Sequence, residues 1–162
     1  MIIVSDTTPI NYLVLIGQID LLEELFGRVI IPPAVFDEFH HPGTPEIVSA
    51  WVDAAPPWLE VKPASSFLLA SVRKLGAGER EAIALAKELG ADAVLMDDRK
   101  ATKEAKRNNL IIIGTLAILE RAAQRGLLNL PEAIERLSQT NFRLPPIAII
   151  EEMLRRDAER KE

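Results

Sequence analysis

The chain has 162 residues, of which 48% are hydrophobic, and its formal net charge at pH 7 is −5. This length and composition predict one globular domain with a sizeable core, and they exclude a disordered chain. No apolar run approaches the roughly 18–20 residues of a membrane span, and we expect no secretory signal. The lack of cysteine excludes disulfides and thiolate metal sites, and it fits a cytoplasmic protein. The negative charge argues against broad electrostatic binding to nucleic acid, but it leaves open an enzyme whose acids converge on cations.

Short apolar segments alternate with helical patterns along the chain. Apolar segments of three or four residues are typical of strands that are buried on both faces, as in parallel sheets. Strands are predicted at residues 2–4, 28–31, 93–96 and 110–113, with a weaker one at 58–61. Helices are predicted at residues 9–16, 19–26, 32–40, 45–54, 66–75, 79–89, 99–108, 115–125, 131–139 and 146–161. The alternation predicts an α/β fold with a mostly parallel central sheet and helices on both faces.

An aspartate, Asp6, follows the first predicted strand directly. Thr7 or Thr8 can cap a helix that begins at Pro9, because the N–H that proline lacks has no partner in the first turn. Asp6 then lies at the carboxyl end of a strand and beside a helix N-terminus, where open α/β sheets place their ligands. The alternative is that Asp6 only caps the helix or stabilises the turn.

Further acidic residues occupy comparable places later in the chain. Glu38 lies on the helix after the second strand, and Glu79 opens a later helix. Asp97 and Asp98 follow the strand at 93–96. In a parallel sheet Asp6 and Asp97 share one edge, and clustered carboxylates repel one another unless a cation neutralises them. Because Mg²⁺ and Mn²⁺ prefer oxygen ligands, the pattern indicates a divalent-cation site.

Each of these residues also has an ordinary structural explanation. Glu38 is compatible with a solvated helix surface, Glu79 with a helix cap and Asp98 with a turn. His40 and His41 follow Glu38, and adjacent imidazoles suggest metal binding. At a helix end, however, they more often cap carbonyl groups.

Two helices carry distinct surface patterns. The helix at 99–108 is basic, and its cations are Arg99, Lys100, Lys103, Lys106 and Arg107. Such a strip can guide a phosphate backbone, or it is a solvated face paired with Glu104. The last helix carries an apolar stripe formed by Ile147, Ile149, Ile150, Met153 and Leu154. This stripe either packs on the core of its own chain or forms a dimer or partner surface.

The sequence resembles the PIN-domain nuclease superfamily, close to the VapC-type toxin ribonucleases. Within that group it is similar to an uncharacterised prokaryotic branch described only as predicted nucleic-acid-binding. The matching stretches are IIVSDTTPINYL at 2–13, VIIPPAVFDEF at 29–39, GAGEREAIALAKELGADAVLMDDRKATKEAK at 76–106 and LIIIGTLAILERAAQRGLL at 110–128. We therefore expect a single PIN-like domain over residues 1–162, with a core at 1–128 and a helical extension at 129–162.

The resemblance implies a three-layer α/β/α fold with about five parallel strands, an acidic Mg²⁺ (or Mn²⁺) site and cleavage of single-stranded RNA. The four family acids fall on Asp6, Glu38, Glu79 and Asp97. Asp6 and Asp97 are the expected direct metal ligands, with Glu79 and Glu38 acting through bound water. The family's usual Thr-x-Asp is absent at the fourth acid, so Asp98 competes with Asp97. Glu81 competes with Glu79 for the third.

The residues around these acids receive supporting roles. Thr7, Thr8 and Asn11 are expected to hydrogen-bond the carboxylates, the metal's waters or the scissile phosphate. Arg99 is expected to contact phosphate. The same resemblance implies that the chain forms a homodimer. It also implies that the chain is a toxin held inactive by a small cognate antitoxin.

Two other classes of function stay open at this point. A PIN fold can bind RNA or a protein partner without turnover. A haloacid-dehalogenase-type phosphatase also begins with a strand and an aspartate, but its Asp-x-Asp pattern would need an acid where Thr8 stands.

Overall fold

The structure is a computed structural model that describes residues 1–65 and 75–162. Within these ranges the strands are β1 (Ile3–Ser5), β2 (Val29–Ile31), β3 (Leu59–Val61), β4 (Ala93–Leu95) and β5 (Ile112–Ile113). The helices are α1 (Thr7–Leu15), α2 (Leu21–Phe26), α3 (Pro33–Glu38), α4 (Glu46–Asp53), α5 (Ala77–Leu89), α6 (Arg99–Arg107), α7 (Thr115–Gln124), α8 (Leu130–Ser138) and α9 (Ile147–Arg160). The helix predicted at 66–75 lies almost entirely outside the described residues.

The five strands pair in parallel in one sheet with the order β3-β2-β1-β4-β5. Val4 in β1 is in register with Ile30 on one side and with Val94 on the other. The chain moves from β1 outward to β2 and β3, and it then crosses to the other side of β1 to form β4 and β5. The carboxyl ends of β1 and β4 are therefore neighbours where the direction reverses, which is the usual ligand position in open α/β sheets.

The sheet is covered on both faces, as the apolar strands predict. Ile3 and Leu95 belong to a large core with residues of α1, α2, α4, α7, α8 and α9. Val4 and Val94 point to the opposite face and pack in a smaller core with residues of α5 and α6. Successive strand side chains alternate between the two cores because the side-chain period of a strand is two. The three-layer α/β/α prediction is confirmed.

In the described part of the chain, the predicted elements differ from the observed ones by at most two residues at either end, and two of these differences concern the acidic edge. Helix α1 begins at Thr7 rather than Pro9, and Asp6 is its N-cap. Proline is tolerated anywhere in the first turn, so Pro9 did not mark the first residue. Helix α5 begins at Ala77, which makes Glu79 its third residue rather than its first.

The C-terminal helix α9 packs on the core with part of its apolar stripe. Ile150 and Met153 are buried, whereas Ile147 and Ile149 are 69% and 51% exposed. The stripe is therefore partly a core face and partly a surface. In the described part of the chain, no helix is both long enough and apolar enough to cross a membrane.

Candidate active site

Asp6 lies directly after β1 at the N-cap of α1. Its backbone N–H donates to the carbonyl oxygen of Leu95 at 2.9 Å, which joins the end of β1 to β4. The residue is only 3% exposed, and its side chain makes no capping hydrogen bond. A capping aspartate normally accepts from an N–H in the first turn. Capping therefore does not account for this buried carboxylate.

Asp97 follows β4 and is half-buried beside the end of β5. Its Oδ1 accepts the backbone N–H of Thr115 at 2.8 Å, and its Oδ2 accepts the Thr115 hydroxyl at 2.5 Å. Gly114 occupies the N-cap of α7, so Thr115 is the first residue of that helix and does not cap it. Thr115 instead orients Asp97. In the sequence, Thr115 is marked only by following the strand that neighbours β4. This position indicates a contact with Asp97 only once the strand order is known.

Glu38 is the last residue of α3, and two donors hold its carboxylate in place. The Thr7 hydroxyl donates to Oε2, and the Gly78 backbone N–H donates to Oε1 at 3.1 Å. A Cβ at Gly78 would lie 2.8 Å from the Glu38 Cδ, so only glycine leaves room for the carboxylate. Close approach to Glu38, rather than chain reversal, is thus the reason for glycine at this helical position.

Glu79 lies on the first turn of α5 and is half-buried, next to Gly78 in sequence. Glu81, the alternative to Glu79, accepts the backbone N–H of Ala34 at 3.2 Å. Its carboxylate therefore contacts the first turn of α3. Asp98 is exposed, and its Oδ1 accepts the Ala101 N–H at 2.9 Å as the N-cap of α6. Glu81 and Asp98 therefore have structural partners outside the acidic cluster.

The carboxylates act on one another electrostatically. Burial, opposed by a backbone hydrogen bond from Thr7 and assisted by the negative charges of Glu79, Glu38 and Asp97, raises the pKa of Asp6 to about 7. Burial likewise raises the pKa of Glu79 to about 7, with contributions from Asp98 and Glu38. Burial raises the pKa of Asp97, opposed by its hydrogen bonds to Thr115. We call Asp6, Glu38, Glu79 and Asp97 the acidic cluster.

The remaining predicted residues lie around this cluster. Thr8 and Arg99 line a cleft of about 870 Å³ that also includes Asp97. Asn11 is half-buried on α1, one turn beyond Thr7. His40 has its Nδ1 3.0 Å from the Phe36 carbonyl oxygen and its Nε2 2.6 Å from Asp53 Oδ1, so it is a helix-end contact.

A comparison with protein families decides the membership of this chain. A family model described as a PIN domain matches residues 2–159. The chain belongs to the PIN-domain family. PIN domains are generally nucleases, and this membership suggests a module that binds nucleic acid. No curated protein matches the chain significantly.

PIN domains generally use divalent metal ions, and the acidic cluster is the candidate site for such an ion in this chain. Within residues 1–65 and 75–162, no three acidic or histidine side chains stand together as a ready metal-binding group. The contacts above explain this, because Glu38 faces Thr7 and Gly78 while Asp97 faces Thr115.

The donor chemistry of the cluster nevertheless fits such an ion. All four groups supply carboxylate oxygens, the ligands that Mg²⁺ and Mn²⁺ prefer. The charges that shift the pKa of Asp6 are all negative, so a cation would stabilise its ionised form.

Proposed function

We propose that this PIN domain is a metal-dependent endoribonuclease that hydrolyses phosphodiester bonds in single-stranded RNA. The observation that carries the proposal is the buried Asp6 carboxylate at the sheet's switch point, where the charges that shift its pKa all come from other carboxylates. Burying a carboxylate without a partner is unfavourable, and such perturbed groups concentrate at functional sites. Membership of a family whose members are generally nucleases supports the same conclusion.

In the proposed reaction Asp6, Asp97 and Glu79 hold Mg²⁺ or Mn²⁺, and Glu38 supports them. A bound divalent cation supplies an activated water and neutralises negative charge at the phosphate. The chain's own residues prepare the ligands. Thr115 holds both oxygens of Asp97, so this side chain loses little rotational freedom when it binds a cation.

Glu38 and Asp6 contribute in different ways to the same site. Thr7 and Gly78 hold the Glu38 carboxylate in the acidic cluster, where its charge acts on Asp6 and Glu79. Without a cation, the Asp6 carboxyl group is about half protonated near neutral pH, because its pKa is about 7. Release of that proton couples cation binding to pH.

A labelled single-stranded RNA tests the proposal directly. We expect wild-type protein to cut it internally with Mg²⁺ or Mn²⁺ and to stop when EDTA is added. Asp97→Asn should lose cleavage by roughly 10²-fold or more, since a carboxylate ligand is replaced by a neutral amide. Asp98→Asn is the matched control, because asparagine also caps helices and should keep α6 intact. Equal loss in both variants would contradict the assignment of Asp97 as the fourth acid.

The binding module is the second candidate function, and one observation favours it. Glu38 and Asp97 each accept hydrogen bonds from protein donors, and the two carboxylates have different donors. A purely structural role for these acids would produce the same contacts. The same assay separates the two functions. Wild-type protein that binds the RNA but never cuts it with Mn²⁺ would favour the binding module.

The resemblance to VapC-type toxins supports a finer proposal, that the nuclease is the toxin of a toxin–antitoxin pair and forms a homodimer. Expression of wild-type protein should then arrest growth, and expression of Asp97→Asn should not. Sedimentation of the purified chain measures its oligomeric state. If wild-type protein cuts RNA in the test tube but does not affect growth, the toxin role is contradicted and the nuclease activity is not.

A further inference from the structure

The cleft beside the acidic cluster extends well beyond it. Its volume of about 870 Å³ falls within the roughly 300–1,000 Å³ of most ligand sites. One end contains Asp97 and Thr8, and the other is formed by the segment 141–149, which connects α8 to α9 and includes the first residues of α9. This C-terminal wall is not needed to position the four acids, so its chemistry has to be explained separately.

Two cations belong to this cleft. Arg99 opens α6 directly after Asp98, and Arg143 lies in the C-terminal wall. Both are exposed, and neither forms an ion pair with another described residue. Other arginines of the same region do form ion pairs: Arg156 binds Glu120. Arginines of this kind are well suited to phosphate, which they bind through a planar fork of N–H donors.

The rest of the C-terminal wall is apolar. Leu144, Pro145 and Ile149 line the cleft, and Ile149 is 51% exposed, although burial is the common state of isoleucine. An inorganic anion would not use such a surface. A ligand that combines a phosphate with a flat, partly apolar ring would use both the arginines and this wall.

Contacts to α1 hold the wall in place. The Tyr12 hydroxyl donates to Asn141 Oδ1 at 2.7 Å, and the Tyr12 and Phe142 rings meet edge to face with centroids 5.0 Å apart. Helix α1 also carries Thr7, and Asp6 is its N-cap. The wall is therefore attached to the same helix as the acidic cluster, which fixes its position relative to that cluster.

We infer that the segment 141–149 forms a nucleotide subsite next to the acidic cluster. In it Arg143 and Arg99 bind a backbone phosphate of a single-stranded polynucleotide, and Leu144, Pro145 and Ile149 pack against the adjoining base or sugar. The inference rests on the proposed function for the identity of the ligand. It adds that the C-terminal segment contributes to substrate binding, beyond the four acids.

Binding of a labelled single-stranded oligonucleotide, followed by fluorescence anisotropy in EDTA at several salt concentrations, tests the subsite. RNA and DNA oligonucleotides of one sequence form two arms, because both carry the required phosphate. Arg143→Ala should raise Kd roughly ten- to a hundredfold in the RNA arm, as expected for loss of a charged hydrogen bond. It should also reduce the slope of log Kd against log salt by about one, the value for one phosphate contact.

Arg121→Ala is the matched control, since Arg121 is exposed on α7 outside the cleft and its loss changes the net charge equally. It should leave Kd within about twofold. Ile149→Ser should raise Kd while leaving the salt slope unchanged, because it removes an apolar contact and no charge. A Kd for Arg143→Ala equal to that of Arg121→Ala would overturn the subsite and leave the cleft to a protein segment.

Cleavage measured on the same proteins separates this inference from the proposed function. If wild-type protein never cuts but Arg143→Ala binds weakly with a reduced salt slope, the subsite stands and the nuclease is refuted. If wild-type protein cuts and Arg143→Ala binds and cuts as well as wild type, the subsite alone is refuted.

Discussion

Two aspartates of this chain are almost completely buried, and their surroundings differ. Asp157 on α9 is 2% exposed, and its carboxylate binds Arg160 at 2.5 Å and Lys161 at 2.9 Å. Asp6 is 3% exposed, and the charges that shift its pKa come from other carboxylates. One aspartate is thus neutralised by cations from its own helix end, whereas the other is surrounded by groups that repel it.

The comparison distinguishes a carboxylate that is paired within the protein from one that we propose binds a cation. A buried charge is tolerated when it is paired, as at Asp157. At Asp6 a backbone hydrogen bond from Thr7 offsets only part of the free-energy cost of burial, because the pKa of Asp6 stays raised to about 7. Stability lost at such a position is typical of functional sites, where the missing partner is the ligand.

The largest expected effect comes from neutralising Asp6, which removes the charge that distinguishes it from the paired Asp157. Asp6→Asn should abolish metal-dependent RNA cleavage, with a loss of roughly 10³-fold or more, since a metal ligand contributes several kcal/mol to the reaction. In EDTA the same variant should melt at a higher temperature than wild type, because it removes a buried charge and its repulsion from Glu79 and Glu38. Cleavage assays and thermal melts measure the two effects.

A variant that cuts RNA as well as wild type would contradict the role of Asp6. A variant that melts below wild type would contradict the electrostatic account of its burial. Asp157→Asn is the matched control, since it neutralises an equally buried aspartate without touching the acidic cluster.

A second variant disturbs the cluster without removing a charge. Gly78→Ala places a Cβ against the Glu38 carboxylate and should displace it from Thr7 and the Gly78 N–H. Cleavage should fall roughly 10–100-fold, as is common when a group that orients a ligand is lost. The fold should survive, because alanine favours helix more than glycine does.

Gly76→Ala provides the control for this variant. Its Cβ would meet its nearest neighbour, Glu79 Oε1, at 3.9 Å, which is an ordinary contact. Rates of RNA cleavage should therefore be near wild type. Equal losses in the two alanine variants would show that the tight space at Gly78 has no functional consequence.

The pH dependence of stability sharpens the comparison further. The folded-state pKa values of Asp6 and Glu79 are raised to about 7, so the folded protein holds more protons than the unfolded chain between about pH 4 and 7. These two groups therefore lower the free energy of unfolding as the pH rises through this window. An effect of about 2 kcal/mol corresponds to a fall in Tm of roughly 4–8 °C in a chain of this size.

Thermal melts in EDTA at about pH 5 and pH 8 measure this effect as the difference between wild type and Asp6→Asn. The advantage of Asp6→Asn should grow as the pH rises. Mn²⁺ should reduce that advantage at the higher pH by stabilising wild type selectively. An advantage that is constant with pH would refute the raised pKa of Asp6.

The smallest expected effect concerns the other aspartate. Asp157→Asn should lower the free energy of unfolding by about 1–2 kcal/mol, since Arg160 and Lys161 lose a charged partner but remain partly in water. Tm should fall by roughly 2–8 °C, with RNA cleavage per folded molecule unchanged. Loss of cleavage at a temperature where the variant is fully folded would show that α9 acts on the site.

Much of the fold could be predicted from local patterns. The apolar segments ending at Val4 and Ile31 read as strands buried on both faces, and the structure places them so. The boundary of α1 was less predictable, because Pro9 is compatible with several positions in a first turn. The partial exposure of the stripe on α9 was not predictable either, since periodicity shows an apolar face but not how much of it finds a partner.

The residues of the candidate site also divide into those that the sequence could predict and those that it could not. Asp6 and Asp97 could be selected because each follows a strand, and parallel strands bring their carboxyl ends to one edge. Thr115, Gly78 and the C-terminal wall could not, because each acts through a contact between residues far apart in the sequence.

The amino-acid sequence alone determined the class of fold, because strand and helix periodicity are local properties, and it predicted Asp6 and Asp97 as candidate ligands, because the residue after each strand is a local property too. Only the tertiary structure decided which acids act on one another, which are held by hydrogen bonds and which, like Glu81 and Asp98, accept a backbone N–H from the first turn of a neighbouring helix. The physical reason is that burial and pairing depend on strand order and packing. These bring together residues from opposite parts of the chain, and so they determine whether a buried charge meets a cation or another carboxylate.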